Sequence, residues 1–114
     1  MSVKIFIKRK FKERFSAEIL PLLNKIRIKA MEQQGYISGE TLVNLENSQE
    51  VVVISVWSSL DNWKTWLNSQ ERGELENELN THMEVPPKIT AFMLGADAIK
   101  EAFEEFIHDS EVET

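Results

Sequence analysis

The 114-residue chain has no cysteine, two histidines, three prolines, four glycines and a single tyrosine. Without thiols, disulfides, thiolate metal sites, iron–sulfur clusters and cysteine nucleophiles are excluded. His82 and His108 are too few for a zinc site built from nitrogen and sulfur ligands. No apolar run approaches the roughly 18 residues of a membrane span, and Met1–Arg9 is too charged for a signal peptide. The expectation is a cytoplasmic protein with no membrane partner. No glycine-rich phosphate loop, GxSxG or HExxH pattern occurs, so nucleotide, serine-hydrolase and zincin chemistries find no support.

What is present suits one folded domain: 42% hydrophobic and 28% charged residues. The net charge of −6 argues against nucleic acid as a partner. Its distribution is uneven. Lys4, Lys8, Arg9, Lys10, Lys12 and Arg14 face only Glu13 near the start, whereas Lys100 stands among Glu101, Glu104, Glu105, Asp109, Glu111 and Glu113 at the end. Either these are two solvated surfaces, or the acidic tail approaches the basic segment within or between subunits.

Alternation in Val3–Lys8 predicts a first strand, with Val3, Ile5 and Ile7 on one face and Phe6 and Lys8 on the other. Ser16 offers a cap for a helix whose apolar stripe is Ile19, Leu22, Leu23, Ile26, Ala30 and Met31. Pro21 implies a start near Leu20 or a bend, and Gly35 a stop. Tyr36–Leu45 is β-rich. Val51–Trp57 is the strongest strand, apolar on both faces and hence central. A helix begins at Ser58-Ser59, with Ser58 and Asp61 as a cap-like pair and Leu60, Trp63, Trp66 and Leu67 as its stripe. A break is expected at Arg72-Gly73. Lys88–Leu94 forms a fourth strand after Pro86-Pro87, and Ala96–Asp109 a last helix burying Ile99, Ala102, Phe103, Phe106 and Ile107.

The order β-α-β-β-α-β is the α+β, ferredoxin-like arrangement. Both sheet faces are apolar: Val3, Ile5 and Ile7 oppose Phe6, Val51 and Val53 oppose Val52, Ile54 and Val56, and Ile89, Ala91 and Met93 oppose Phe92 and Leu94. The face that the helices do not cover is therefore too apolar to leave in water. A second copy of the chain would bury it in a two-fold homodimer. The alternative is that the last helix covers it.

The segments GYISGETL (35–42), EVVVISVW (50–57) and the Ser-led helix with Trp66-Leu67-Asn68-Ser69 resemble the antibiotic biosynthesis monooxygenase (ABM) domain. The resemblance implies a domain over residues 1–95, with 96–114 an added helix and acidic tail packed on the same domain or on the partner subunit. It also implies a dimeric α+β barrel. Its members include cofactor-independent oxygenases of polyketide quinones, haem-degrading enzymes and autoinducer-processing proteins, so the fold leaves the activity open. By the register of the haem-degrading branch, Trp66 matches its helical tryptophan. The haem-ligating histidine falls near Glu76, and the first-strand asparagine at about Lys8.

The function expected is a monooxygenase without cofactor, acting on a small aromatic or quinone-like molecule. The alternatives are a non-catalytic dimeric ligand-binding or stress-associated module, and haem binding without degradation. Candidate catalytic residues are Trp66, His82 and Lys8; candidate pocket-lining residues are Phe6, Trp57, Trp63 and Trp66. An oxygenase lacking metal and flavin needs its substrate as an electron-rich anion, which a lysine such as Lys8 would stabilise in an apolar cavity. His82 would be a general base near neutral pH. Each of these also has a plain structural reading: core indoles, a solvated lysine in a basic run, and a histidine in an exposed connection.

Overall fold

The computed structural model describes residues 1–14 and 16–113, with side chains to residue 104 apart from residue 15. The elements are β1 (Val3–Lys10), α1 (Ile19–Met31), β2 (Tyr36–Val43), β3 (Glu50–Trp57), α2 (Leu60–Leu67), α3 (Gln70–Asn80), β4 (Lys88–Met93) and α4 (Gly95–Glu113). The sheet runs β2-β3-β1-β4, and every neighbouring pair is antiparallel. This is the ferredoxin-like order, with β1 and β3 central.

The period of two in β1 decides which face is covered. Val3, Ile5, Ile7 and Arg9 point to the helices and are buried, while Lys4, Lys8 and Lys10 are exposed. Ile5 pairs with Ser55 and Ile7 with Val53, so the odd positions of β3 face the helices too. Two core clusters result. Val3, Ile5, Ile7, Trp57, Trp63 and Trp66 form one; Phe11, Ile19, Leu23, Val51, Leu79 and Met83 form the other. A buried indole removes roughly 150–250 Å² from water, so the tryptophans dominate the first.

Pro21 is the third residue of α1, inside the first turn, where its missing N–H costs no intrahelical bond. The expected Ser16 cap is not made: Glu18 stands at the cap position without a side-chain cap bond, and Ser16 supplies its backbone carbonyl to Ile19 and Leu20. Gly35 carries φ +87°, and a Cβ there would lie 2.3 Å from Asn62 Nδ2. The chain between α1 and β2 can make that turn only with glycine.

Two boundaries differ from the sequence expectation. The cap of α2 is Ser59, whose Oγ accepts from the Asn62 N–H at 3.1 Å, while Ser58 Oγ accepts from Asn62 Nδ2. The break between the second pair of helices lies at Asn68-Ser69, not at Arg72-Gly73. Ser69 Oγ caps α3 by accepting from Arg72 N–H, and Gly73 sits inside the helix with open space around it. A capping serine is a stronger start signal than one exposed glycine is a stop.

β4 ends at Met93, and α4 leaves the domain from there. Ile99, Ala102 and Phe103, expected to be buried, are exposed in the single chain; Phe106, Ile107 and His108 lie outside the described side chains. The open sheet face holds Phe6 edge-on to Phe92, with ring centroids 5.1 Å apart. Among the described residues no helix is long and apolar enough to cross a membrane.

Candidate functional site

A cavity lies between the helix-facing side of the sheet and helices α1, α2 and α3. Trp57 at the end of β3 is fully buried, and Trp63 and Trp66 follow on the inner face of α2. Their spacing of three residues places both indoles on one side of the helix. Tyr36 meets Trp57 edge-on at 5.4 Å, and Trp57 lies 5.7 Å from Trp63. Trp57 Nε1 donates to Ser55 Oγ at 3.0 Å, which satisfies the one polar atom of that indole. The space open to a water-sized molecule is about 50 Å³.

The cavity's polar lining is cationic. Arg9, at the C-terminal end of β1, is among the most deeply buried side chains in the protein. It forms a two-pronged pair with Glu76 of α3: Nη1 donates to Oε2 at 2.8 Å and Nη2 to Oε1. Arg72, one turn before Glu76, brings Nη2 to 3.1 Å from the same Oε1, but its N–H bonds are not aligned on it. The Arg72 guanidinium instead lies 5.6 Å over the ring of Trp63. Arg9 Nε and Arg72 Nε and Nη2 are buried donors without acceptors.

These neighbours fix the protonation of the cluster. Burial pushes the Glu76 carboxyl up, but the Arg9 hydrogen bonds and the charges of Arg9 and Arg72 outweigh it, leaving the group below its ordinary value. Burial lowers the Arg72 guanidinium, the Glu76 charge opposes that, and Arg9 adds to it. Two guanidiniums thus share one carboxylate in a site largely closed to water.

At the rim, Arg27 of α1 donates Nη2 to the Gly39 carbonyl of β2 at 2.8 Å, bridging the two elements that form the cavity's mouth. The glycine serves a close approach, because a Cβ at position 39 would meet the Tyr36 hydroxyl at 2.3 Å.

The candidate residues separate. Trp57, Trp63 and Trp66 come together in this cavity. Phe6 and Lys8 lie on the opposite sheet face, where Lys8 Nζ pairs with Glu50 at 3.5 Å. His82 lines a surface hollow with Lys12, Glu13 and Ile19. Glu76, where a haem-ligating histidine would fall, offers a carboxylate already engaged by Arg9, and no histidine lines the cavity. The residues present do not fit haem. No group of three or more potential metal ligands occurs among the described residues.

Sequence reasoning missed Arg9, Arg72, Glu76, Ser55 and Tyr36. The signal for Arg9 was the alternation itself: Val3, Ile5, Ile7, Arg9 and Phe11 are one face. Arg72 and Glu76, four apart on the face of Leu75 and Leu79, carried a second signal.

Comparison with known proteins places this geometry in a family. SnoaB from Streptomyces nogalater, described as a cofactor-independent oxygenase, superimposes with a TM-score of 0.74 at 15% identity, covering 82% of this chain and 92% of that one. A conserved protein from Methanosarcina mazei Go1 gives 0.73 at 15% identity over 81% and 91% of the two chains. Rv0793 from Mycobacterium tuberculosis gives 0.72 at 12% identity over 82% and 95%. No curated protein sequence matches the chain. The family model described as antibiotic biosynthesis monooxygenase matches residues 2–77, and the chain belongs to that family.

Proposed function

We propose that the protein is a homodimeric, cofactor-independent monooxygenase whose substrate is a small aromatic or quinone-like molecule. The observation that carries this reading is a cavity in an ABM-family chain walled by Trp57, Trp63 and Trp66 and backed by two buried arginines. The indoles stack on a planar ring, with Trp66 against the reacting carbons. The guanidiniums favour the substrate anion, which must itself reduce dioxygen. A ring methylene and O2 then give a ring carbonyl and water, a balance that needs no outside reductant. Lys8 and His82, outside the cavity, take no part.

The dimer is supported by the open sheet face. Phe6, Val52, Ile54, Val56 and Phe92 form an apolar surface that a second sheet would cover, and α4 provides an arm reaching beyond the single domain.

One observation favours a non-catalytic, stress-associated dimeric module instead. The void of about 50 Å³ is well below the roughly 150 Å³ in which a benzene sits, so a ring enters only when the mouth widens. Oxygen uptake with anthrone-like and naphthol-like compounds decides between the two. Uptake with one compound, reduced in Trp66→Phe, supports the oxygenase; silence across the panel from a folded dimer supports the module.

A further inference from the structure

We propose that the tryptophan cavity selects an aryl carboxylate: its ligand is a small planar aromatic carrying a carboxylate, held by Arg72 and Arg9. This rests on reading the cavity as the ligand site and narrows its substrate class.

Arg9 and Arg72 bring two positive charges to the cavity's lining and Glu76 returns one negative charge, so the cluster is cationic overall. Arg72 is 6% exposed, and three guanidinium N–H-bearing atoms of the pair, Arg9 Nε and Arg72 Nε and Nη2, have no acceptor. A buried, unpaired donor on a charged group is costly, and proteins rarely leave one without a use. Glu76 gives them no aligned hydrogen bond: Arg72 Nη2, 3.1 Å from Oε1, pairs with it by charge alone, and both Nε atoms have no acceptor. At the rim Arg27 adds a third cation and Glu40 a second anion, so the sum stays positive.

The rest of the lining sets the shape of the ligand. Trp57, Trp63 and Trp66 offer ring faces and edges, with Ile7, Ile26 and Val53 beside them. Arg72 already lies over the Trp63 ring, so a flat group entering there meets an indole and a guanidinium at once. A neutral phenol or quinone would use the rings and leave the cations unanswered. An aryl carboxylate answers both.

The test uses the full chain and two matched pairs of probes: benzoate with benzyl alcohol, and 2-naphthoate with 2-naphthylmethanol. Affinities come from calorimetry at neutral pH. The chain's three tryptophans all line the cavity, so quenching of their emission by benzoate locates binding there. The expected result is that each acid binds about tenfold or more tightly than its alcohol, and that Arg72→Gln removes this preference while alcohol binding persists. Equal affinities, tighter alcohols, no binding of either acid, or an acid preference that survives in Arg72→Gln would each overturn the proposal. If Arg72→Gln fails to fold, the wild-type acid-to-alcohol ratio with tryptophan quenching decides alone. Acid binding without oxygen uptake in any compound leaves this inference standing and removes the oxygenase reading. Oxygen uptake with neutral rings and no acid preference does the reverse.

Discussion

Arg9 on β1 and Glu76 on α3, 67 positions apart in sequence, meet in a two-pronged buried ion pair that ties the centre of the sheet to the third helix. Such a pair gains little over well-packed apolar residues but is severe to break, because its survivor is left charged and dry. Here removing Glu76 strands two guanidiniums. Glu76→Ala should therefore lower unfolding stability by about 3–5 kcal/mol, read from urea midpoints at neutral pH. A loss below about 1 kcal/mol would match an exposed ion pair and contradict the burial described.

The same carboxylate gives the fold an acid-sensitive element. Its folded-state value lies below its ordinary 4.5, so between the two the unfolded chain binds the extra proton and stability rises with pH. The Glu76 contribution is complete above the ordinary value and disappears as pH falls through the lowered one. The difference in urea midpoint between wild type and Glu76→Gln should shrink on acidification below 4.5 and hold level between pH about 6 and 8. A difference constant down to the acid unfolding limit would show that folding leaves the Glu76 pKa unchanged, so that its pairing with Arg9 and Arg72 does not favour the ionised form.

The element order and the two faces of β1 were legible because period-two alternation is a local signal. Which face the helices cover was not, and Phe6 and Lys8, read as pocket candidates, lie on the open face. Val3, Ile5 and Ile7 mark one face of β1, and the antiparallel partners follow from it. The tryptophan pair was equally legible, since Trp63 and Trp66 fall on one helical side. Arg9 was not. It stands between Lys8 and Lys10, and a basic run reads as solvated surface even where alternation turns its middle member inward. Its partner Glu76 is legible only once β1 and α3 are known to touch. The outcome for α4 has another cause: an amphipathic stripe specifies that a face will be covered, not by which chain.

Gly73 and Gly35 should respond oppositely to alanine. Gly73 lies within α3 at ordinary helical geometry with nothing within 4 Å of a new Cβ, so Gly73→Ala should stabilise by about 0.5–1 kcal/mol. Gly35 combines φ +87° with Asn62 atoms where the Cβ would go, so Gly35→Ala should cost about 1–2 kcal/mol for the backbone alone and more for the collision. Thermal unfolding of the two variants side by side tests both. A destabilised Gly73→Ala would mean that the helix does break at Arg72-Gly73.

The Arg27–Gly39 bond makes entry to the cavity a rate question. A ring needs more room than the void of about 50 Å³ provides, and an exposed hydrogen bond of 2.8 Å joins α1 to β2 across the mouth. An exposed bond of this kind contributes about 0.5–1.5 kcal/mol, so breaking it should raise the population of the open mouth several-fold while leaving the fold intact. Removing Arg27 also removes a positive charge that attracts anions, which acts in the opposite direction. High salt separates the two effects, because it screens the long-range attraction and spares the opening step. In about 0.5 M salt, Arg27→Ala should take up benzoate about two- to tenfold faster than wild type, measured by stopped-flow quenching of tryptophan emission. Its urea midpoint should move little. Slower uptake in high salt would show that Arg27 guides or binds the ligand instead of closing the mouth.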